Sequence, residues 1–399
     1  MSFSLGCFSH IIVLSCMLYV CETPSDSVDM SFVPETMCLH RLARMPYLAL
    51  PTVPHCQVTY IWISPCGKFP KGKTRTLDSE PQSVAGKNSL YTQPQGHGFH
   101  SKGFLWITLV PVRMFRDPFT RDPNKLVMCD ALDLQGTPAQ FHRRSECAKA
   151  MEEVKDQKPW FGFEQEFTLM ALDQHPFGWR DDPYPTTPGV GEVGLEKIWG
   201  RDVSLSHYQA CLYAGVKISG ITNEGGPAQW EFQIGPCEGI ELGDHAWTAR
   251  YILFRVCEDF GVIPSFHPKL FDHPLWSSDG HMNFSTEAMR SPGGLTRIHA
   301  AIERLAQRHM EHVALYGDEH NNRKRMIGGS LSSAFDTFSW RTASRSVSVR
   351  IPGHVHSEGR GYLEDRRPPS DCDPYVVCQA LVETCLPPPG GHNGEDAIL

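Results

Sequence analysis

Four short segments of this chain alternate, residue by residue, between aromatic or apolar side chains and acids, amides or imidazole. Period two is the repeat of an extended strand, which sends successive side chains to opposite faces. In the first segment Trp160, Gly162, Glu164 and Glu166 share one face, while Phe161, Phe163 and Phe167 share the other. Its two carboxylates therefore stand side by side, with α-carbons ~6–7 Å apart. In the second, Gln229, Glu231 and Gln233 oppose Trp230 and Phe232. In the third, His281, Asn283 and Ser285 oppose Met282 and Phe284, and in the fourth Tyr362, Glu364 and Arg366 share a face.

Carboxylates crowded on one face repel each other unless a cation neutralises them. Oxygen donors with a single imidazole suit Mg²⁺ or Mn²⁺ better than a thiolate-seeking metal. Arginines at 345, 350, 366 and 367 supply the opposite charge. Divalent cations beside arginines are the equipment of phosphoryl transfer, where positioning and charge neutralisation do most of the catalysis. A charged, solvent-facing sheet is the alternative that the alternation leaves open.

Further strands are expected at Val58–Ile63, Phe104–Val112 and Asn124–Asp130, and the four alternating segments extend to Trp160–Met170, Ala228–Ile234, Gly280–Ser285 and Gly361–Asp365, with another strand at Arg345–Ile351. Helical spacing falls at Phe141–Asp156, Ser204–Lys217, Gly243–Phe260 and Leu295–Tyr316. Asp373 followed by Pro374 starts a last helix running to about Leu386. The strand spacing is too irregular for a doubly wound fold, so an α+β chain with a mostly antiparallel sheet is expected. The histidines at 299, 309 and 312 read as core or solvated groups on a helix. Gly189–Gly194 matches Gly-x-Gly-x-x-Gly, but follows a proline-rich loop instead of a strand, so no dinucleotide fold is expected from it.

A net charge of −8, with 45 acids against 37 bases, argues against a nucleic-acid partner. The 14 cysteines form no Cys-x-x-Cys pair and read as reduced, buried thiols, so a cytoplasmic protein without a membrane partner is expected. Residues 3–21 are apolar and uncharged, which would suit a secreted or anchored alternative, yet no Lys or Arg precedes Arg41. Residues 1–55 are left unassigned.

Several long motifs resemble those of the eukaryotic-type glutamine synthetase family. They are Lys158-Pro-Trp-Phe-Gly-Phe-Glu-Gln-Glu-Phe167, Tyr208–Lys217, Pro227-Ala-Gln-Trp-Glu-Phe-Gln-Ile-Gly-Pro236, Arg255–Val262, Asn283-Phe-Ser285, Arg345-Ser-Val-Ser-Val-Arg-Ile-Pro352 and Gly361-Tyr-Leu-Glu-Asp-Arg-Arg-Pro368, in family order. Upstream, Lys73–Pro81 and Met114–Phe119 look like the family's N-terminal β-grasp domain. The resemblance implies a β-grasp-like domain over 56–135, incomplete here, and a catalytic ATP- and metal-binding domain with a curved antiparallel active-site sheet over 136–386; the Gly/Pro-rich composition of 387–399 leads to the expectation of a flexible tail. It implies ATP-dependent joining of L-glutamate and ammonium through γ-glutamyl phosphate, with Mg²⁺ or Mn²⁺, in a homo-oligomeric ring. Carried over by motif, one metal falls to Glu166, Glu224 and Glu231, and a second to Glu164, His281 and Glu364. ATP falls to Glu231, Phe232, Gln233, Ile234, Gly235, Pro236, Asn283, Phe284, Ser285, Arg345, Arg350 and Tyr362. Glutamate falls to the catalytic arginines Arg325, Arg345 and Arg366.

Three stretches depart from the family pattern. The flap Gly-Phe-His-Glu-Thr-Ser is matched by Gly328-Gly-Ser-Leu-Ser-Ser333, so Leu331 stands where a glutamate closes the ammonium site. Leucine can neither take a proton nor attract a cation. The family's Asn-Gly-Ala-Gly-Cys-His is matched by Ser277-Ser-Asp-Gly-His281, one residue shorter. The N-terminal Asp-Gly-Ser-Ser loop has no counterpart between Pro81 and Met114. Three readings follow: a glutamate–ammonia ligase, impaired at its ammonium site; a non-catalytic scaffold that keeps metal and nucleotide; or a ligase for an apolar amine.

Overall fold

The computed structural model describes residues 16–19, 45–51, 54–84, 104–179, 189–194, 198–271, 276–328 and 332–386. Two compact units divide the chain, one made of Met1–Asp26 with Pro51–His142 and the other of Ser27–Leu50 with Arg143–Leu399.

In the first unit, β1 (Cys16–Tyr19), β2 (Cys56–Ile63), β3 (Pro70–Leu77), β4 (Phe104–Arg116) and β5 (Lys125–Leu132) form a sheet in the order β1-β4-β5-β2-β3. Only β2 and β5 run parallel. The alternate residues Cys56, Val58, Tyr60 and Trp62 of β2 build the core with Ile107, Leu109, Val127, Cys129 and Ala131. Edge strand β3 carries Lys71, Lys73 and Arg75 at every second position, charges that discourage pairing with another edge. β4 outruns its expected end at Val112, because a register shift between Pro111 and Arg113 lets the strand pass a residue that cannot donate to the ladder. Part of the apolar segment 3–21 thus pairs antiparallel with β4 at residues 16–19, and the rest lies outside the described residues.

In the second unit the elements are α1 (Met45–Leu48), α2 (Arg144–Glu153), β6 (Trp160–Met170), α3 (Arg201–Ala214), β7 (Ile218–Asn223), β8 (Gln229–Glu238), α4 (Glu241–Phe260), β9 (Ile263–Ser265), β10 (Gly280–Ser285), α5 (Glu287–Arg290), α6 (Gly294–Gln307), α7 (His309–Tyr316), α8 (Glu319–Arg325), β11 (Trp340–Thr342), β12 (Val349–Ile351), α9 (Gly353–Glu358), β13 (Leu363–Asp365) and α10 (Pro374–Cys385). The sheet runs β11-β12-β13-β10-β6-β8-β7, with β9 on β6. Every pairing is antiparallel except β11 with β12. The chain is therefore α+β with antiparallel-rich sheets, as its strand spacing predicts.

The apolar face of this sheet is the core. Phe161, Phe163, Phe167, Trp230, Phe232, Met282 and Phe284 are all buried, and α4, itself mostly buried, packs against β6 and β8. Burying one such aromatic side chain contributes on the order of 2–3 kcal/mol. Gln165 is a polar residue on this face. The amide of Gln165 donates to Ser370 O at 2.8 Å and its oxygen accepts from Arg250 Nε at 2.7 Å. Arg250 in turn lies over the rings of Phe163, Trp247 and Phe266. The helices are joined by a second buried set: Arg144 Nε and Tyr375 Oη both donate to Asp244, tying α2 and α10 to α4. α4 and α10 approach so closely that a Cβ at Gly243 would stand 2.2 Å from the Tyr375 ring.

Several boundaries differ from the sequence expectation. The helix expected over Leu295–Tyr316 breaks at Arg308 into α6 and α7, where the guanidinium reaches Glu311 and Thr384. The strand expected from Arg345 begins only at Val349, because serine side chains at 344 and 348 bond local backbone N–H groups and compete with the ladder. The strand expected from Gly361 begins at Leu363, since Gly361 lies at φ 144° with its N–H given to Met289 O. Strand β8 starts after Ala228, whose φ is 51°, and runs on to Glu238. The last helix is capped as expected, Asp373 Oδ1 accepting from Tyr375 N at 3.0 Å. His309 bonds Phe335 O and His312 bonds Tyr316 and Thr384, so both are core residues. Cys56, Cys147, Cys211, Cys257, Cys372, Cys378 and Cys385 are free and buried thiols. Among the described residues no helix is long and apolar enough to cross a membrane.

Candidate active site

Sheet register assembles the acidic face. His281 lies opposite Glu164 across β10 and β6, Glu231 lies opposite Glu166 across β8 and β6, and Glu364 lies opposite Asn283 and Arg350 on β13's two neighbours. Glu224 follows β7 in a turn whose N–H bonds Gln229 O. The result is two trios. Ligating atoms of Glu164, His281 and Glu364 lie within 4.8 Å of one another, and so do those of Glu166, Glu224 and Glu231. Most of this face is shielded: Glu166 is 8% exposed, Glu231 7%, His281 6% and Glu364 0%. A charged sheet open to solvent, the alternative raised by the alternation, is therefore excluded.

The groups are tuned by burial and by each other. Burial lifts the Glu231 carboxyl to about 8, with the Glu164 and Glu224 charges adding to the effect. Glu166 is pushed well above its ordinary value by burial, then by Asp279 and Glu224, and Glu224 is raised chiefly by burial. Glu164 goes the other way: burial opposes it, but the His281 hydrogen bond and charge, with Asn283, hold it at about 2. Burial and Arg366 push the His281 imidazole down, yet Asp279 and Glu164 outweigh them and raise it to about 10. Carboxylates this close that must be partly protonated in the absence of a counter-ion make a fitting cage for hard divalent cations.

The arginines frame the first trio. Arg366 Nη1 donates to Glu364 Oε1 at 2.7 Å, Arg350 ion-pairs with the other Glu364 oxygen, and Arg366 Nε donates to Arg345 O at 3.2 Å. Arg345 is exposed. Arg325 is buried and ion-pairs with Asp279 at 2.7 Å.

Beside the trios lies a cavity of about 490 Å³, bounded by Glu164, Gln233–Pro236, Asn283–Ser285, Tyr362, Trp160 and Arg290 among others. That volume suits a drug-sized or nucleotide-sized ligand. Gln233, Ile234, Gly235, Pro236, Asn283, Phe284, Ser285 and Tyr362, expected at the nucleotide, all line it. Glu231, Arg345 and Arg350 do not, and belong to the acid-lined end. Phe232 is a correction: period two turns its ring into the core, 6.0 Å from Phe167 and 4.8 Å from His207, so it offers no side chain to a ligand. Leu331 and residues 85–103, where the flap and loop departures fall, lie outside the described residues.

Two residues of the site were given no role from the sequence, although Gln229 was placed on the polar face. Gln229 Nε2 donates to Glu166 Oε2 at 2.8 Å and to Ser277 O at 2.6 Å. Asp279 sits between the trios, Oδ2 3.3 Å from His281 Nε2 and backbone N–H donated to Glu166 Oε2. Its signal was its place two residues before His281, on the same face.

An antiparallel sheet carries two carboxylate-rich trios able to hold cations beside a cavity of nucleotide size, an arrangement suited to metal-dependent phosphate chemistry. A family profile described as "Glutamine synthetase, catalytic domain" matches residues 141–387. The chain is 46% identical to glutamine synthetase of Xenopus laevis over 370 residues, covering 90% of this chain and 92% of that protein. It is 47% identical to the Homo sapiens glutamine synthetase over 364 residues (87% and 94% covered) and 48% to the Macaca fascicularis one over 365 (87% and 94%). The chain belongs to the glutamine synthetase family.

Proposed function

We propose that the chain joins L-glutamate and ammonia into L-glutamine at the expense of ATP. The observation that carries this reading is the pair of cation cages, one of which shares Glu164 with the large cavity. Glu166, Glu224 and Glu231 would hold one Mg²⁺ or Mn²⁺ and Glu164, His281 and Glu364 the other. Such ions neutralise charge on a transferring phosphoryl group. ATP would occupy the cavity, with Asn283, Ser285 and Tyr362 toward it. Arg345 and Arg366 would face the dicarboxylate and the transferring phosphoryl, with Arg325 on a substrate carboxylate. The γ-carboxylate of glutamate attacks the terminal phosphorus and ADP leaves. Ammonia then attacks the acyl carbon, inorganic phosphate leaves, and one proton is lost. Glu364, bridged to Arg350 and Arg366, keeps both guanidiniums at the site.

We further propose a homo-oligomeric ring, a cytoplasmic location consistent with free cysteines, and a β-grasp-like N-terminal unit. A net charge of −8 disfavours nucleic acid as a partner. The second reading, a scaffold that binds nucleotide without turnover, draws on Leu331, which leaves no base for the ammonium proton. Purified protein with ATP, Mg²⁺, glutamate and ammonium separates the two. Glutamine formation supports the ligase; nucleotide binding with no amide product supports the scaffold. No metal-dependent nucleotide binding at all refutes both.

A further inference from the structure

Arg325 has few donors left for a substrate. Its Nη1 donates to Asp279 Oδ1 at 2.7 Å, its Nε and Nη2 donate to Asn322 Oδ1 at 3.3 and 3.2 Å, and Nη2 also donates to Arg367 O. The guanidinium side chain is 2% exposed and the Asp279 side chain 16%. Asp279 is itself fixed: its N–H donates to Glu166 Oε2 at 2.9 Å and its carbonyl accepts from Glu166 N at 3.1 Å. An arginine paired with a carboxylate is the arrangement that substrate recognition at Arg325 would use. Here an internal carboxylate already occupies it.

We propose that Asp279 is a built-in occupant of the substrate-carboxylate position at Arg325, and so sets how tightly this chain holds a dicarboxylate amino acid. The inference rests on the assignment of Arg325 to substrate in the preceding section. Being covalently attached, Asp279 competes at a high effective concentration. An arriving carboxylate must either displace it or settle beside it, adding a negative charge next to Glu164 and Glu166. The matched family stretch, Asn-Gly-Ala-Gly-Cys-His, contains no acid, so the competition belongs to this chain's Ser277–His281 segment.

The test compares the parent with Asp279→Asn, which keeps the shape, and Asp279→Gly, which removes the side chain. Calorimetry measures glutamate binding with Mg²⁺ and a non-hydrolysable ATP analogue present. The expected result is glutamate affinity raised about tenfold or more in both variants, the direction opposite to simple structural damage. KM for glutamate falls, with kcat changing less. Two probes with one carboxylate each, 4-aminobutanoate and 2-aminobutanoate, are titrated alongside. The gain is absent for whichever of them lacks the carboxylate that Arg325 takes. Glutamate affinity unchanged or weakened in both variants overturns the inference, as does an equal gain for all three ligands. Binding of the ATP analogue in the same titrations keeps the two readings apart. If the parent binds it with Mg²⁺ while glutamate gains nothing, the Asp279 role alone falls. If the parent binds none, the ligase reading falls too.

Discussion

Metal should stabilise this protein, and removing acids from one cage should not harm the metal-free form. Ligating atoms of Glu166, Glu224 and Glu231 lie within 4.8 Å of one another. At that distance two unit charges repel by about 3 kcal/mol at an effective dielectric of about 20. Without a cation the trio is therefore a liability, relieved by proton uptake. A cation at about 100 times its dissociation constant contributes about 2.7 kcal/mol per site. That corresponds to roughly 5–10 °C in Tm for a unit of this size. The double variant Glu166→Gln, Glu231→Gln keeps side-chain volume and removes two of the three charges. In EDTA it should unfold at the parent's temperature or above. In Mg²⁺ or Mn²⁺ its Tm gain should fall to about half, because Glu164, His281 and Glu364 remain. Thermal unfolding followed by circular dichroism at fixed protein concentration reads all four conditions. A parent indifferent to metal, or a variant stabilised as much as the parent, would refute the cage.

Further outcomes are expected elsewhere. Asp365→Asn leaves Arg367, wholly buried and bonded to both Asp365 oxygens, without its anion; urea unfolding should show a loss of about 3–5 kcal/mol, largely recovered by adding Arg367→Met. Burial holds His207 neutral, its pKa lowered from 6.5 to about 4. Its stabilising effect is complete above pH 6.5 and is lost as pH falls toward 4, by about 3 kcal/mol, and His207→Gln should flatten that acid limb in pH-dependent urea melts. Leu331→Glu restores an acid where the family flap has one, and should raise ammonia-dependent glutamine formation by about 10²-fold if that residue limits turnover; an unchanged rate places the defect in the missing N-terminal loop.

How much could be read in advance followed from the range of the interaction that decides each feature. Alternation is local, so the faces of β6, β8, β10 and β13 were legible, and with them Glu164, Glu166, Glu231, His281 and Glu364. Glu224 lies in a turn with no period, and only the family likeness reached it. Gln165 shows the limit of the pattern. It breaks the apolar face of β6, and its partners Ser370 and Arg250 are 205 and 85 residues away, beyond any periodic signal. The break at Arg308 was hidden for the same reason, since Thr384 is a tertiary partner and neither glycine nor proline marks the bend.

Asp279 joins both kinds of signal. Period two extended one step back from His281 puts an acid on the active face, which is local information. That its carboxylate meets Arg325, 46 residues on, is tertiary. An extra acid in a cage of acids raises two opposed expectations: a seventh cation ligand, or a partner for a cation already present in the protein. The geometry decides. Oδ1 is taken by Arg325 at 2.7 Å and Oδ2 faces His281 Nε2 at 3.3 Å, while Nδ1, on the other side of the ring, faces Glu164 and Glu364 at 3.4 and 3.6 Å. The imidazole thus points one nitrogen into the cage and the other at Asp279, the arrangement in which an outer carboxylate fixes the ring that ligates a metal. Asp279→Asn consequently has two separable effects. Glutamate should bind more tightly through the freed Arg325. Mn²⁺ affinity at the first cage should drop by about 10-fold or more as the ring loses its anionic support. A Mn²⁺ titration by electron paramagnetic resonance reads the second effect alone, and an unchanged affinity would leave Asp279 with the substrate position only.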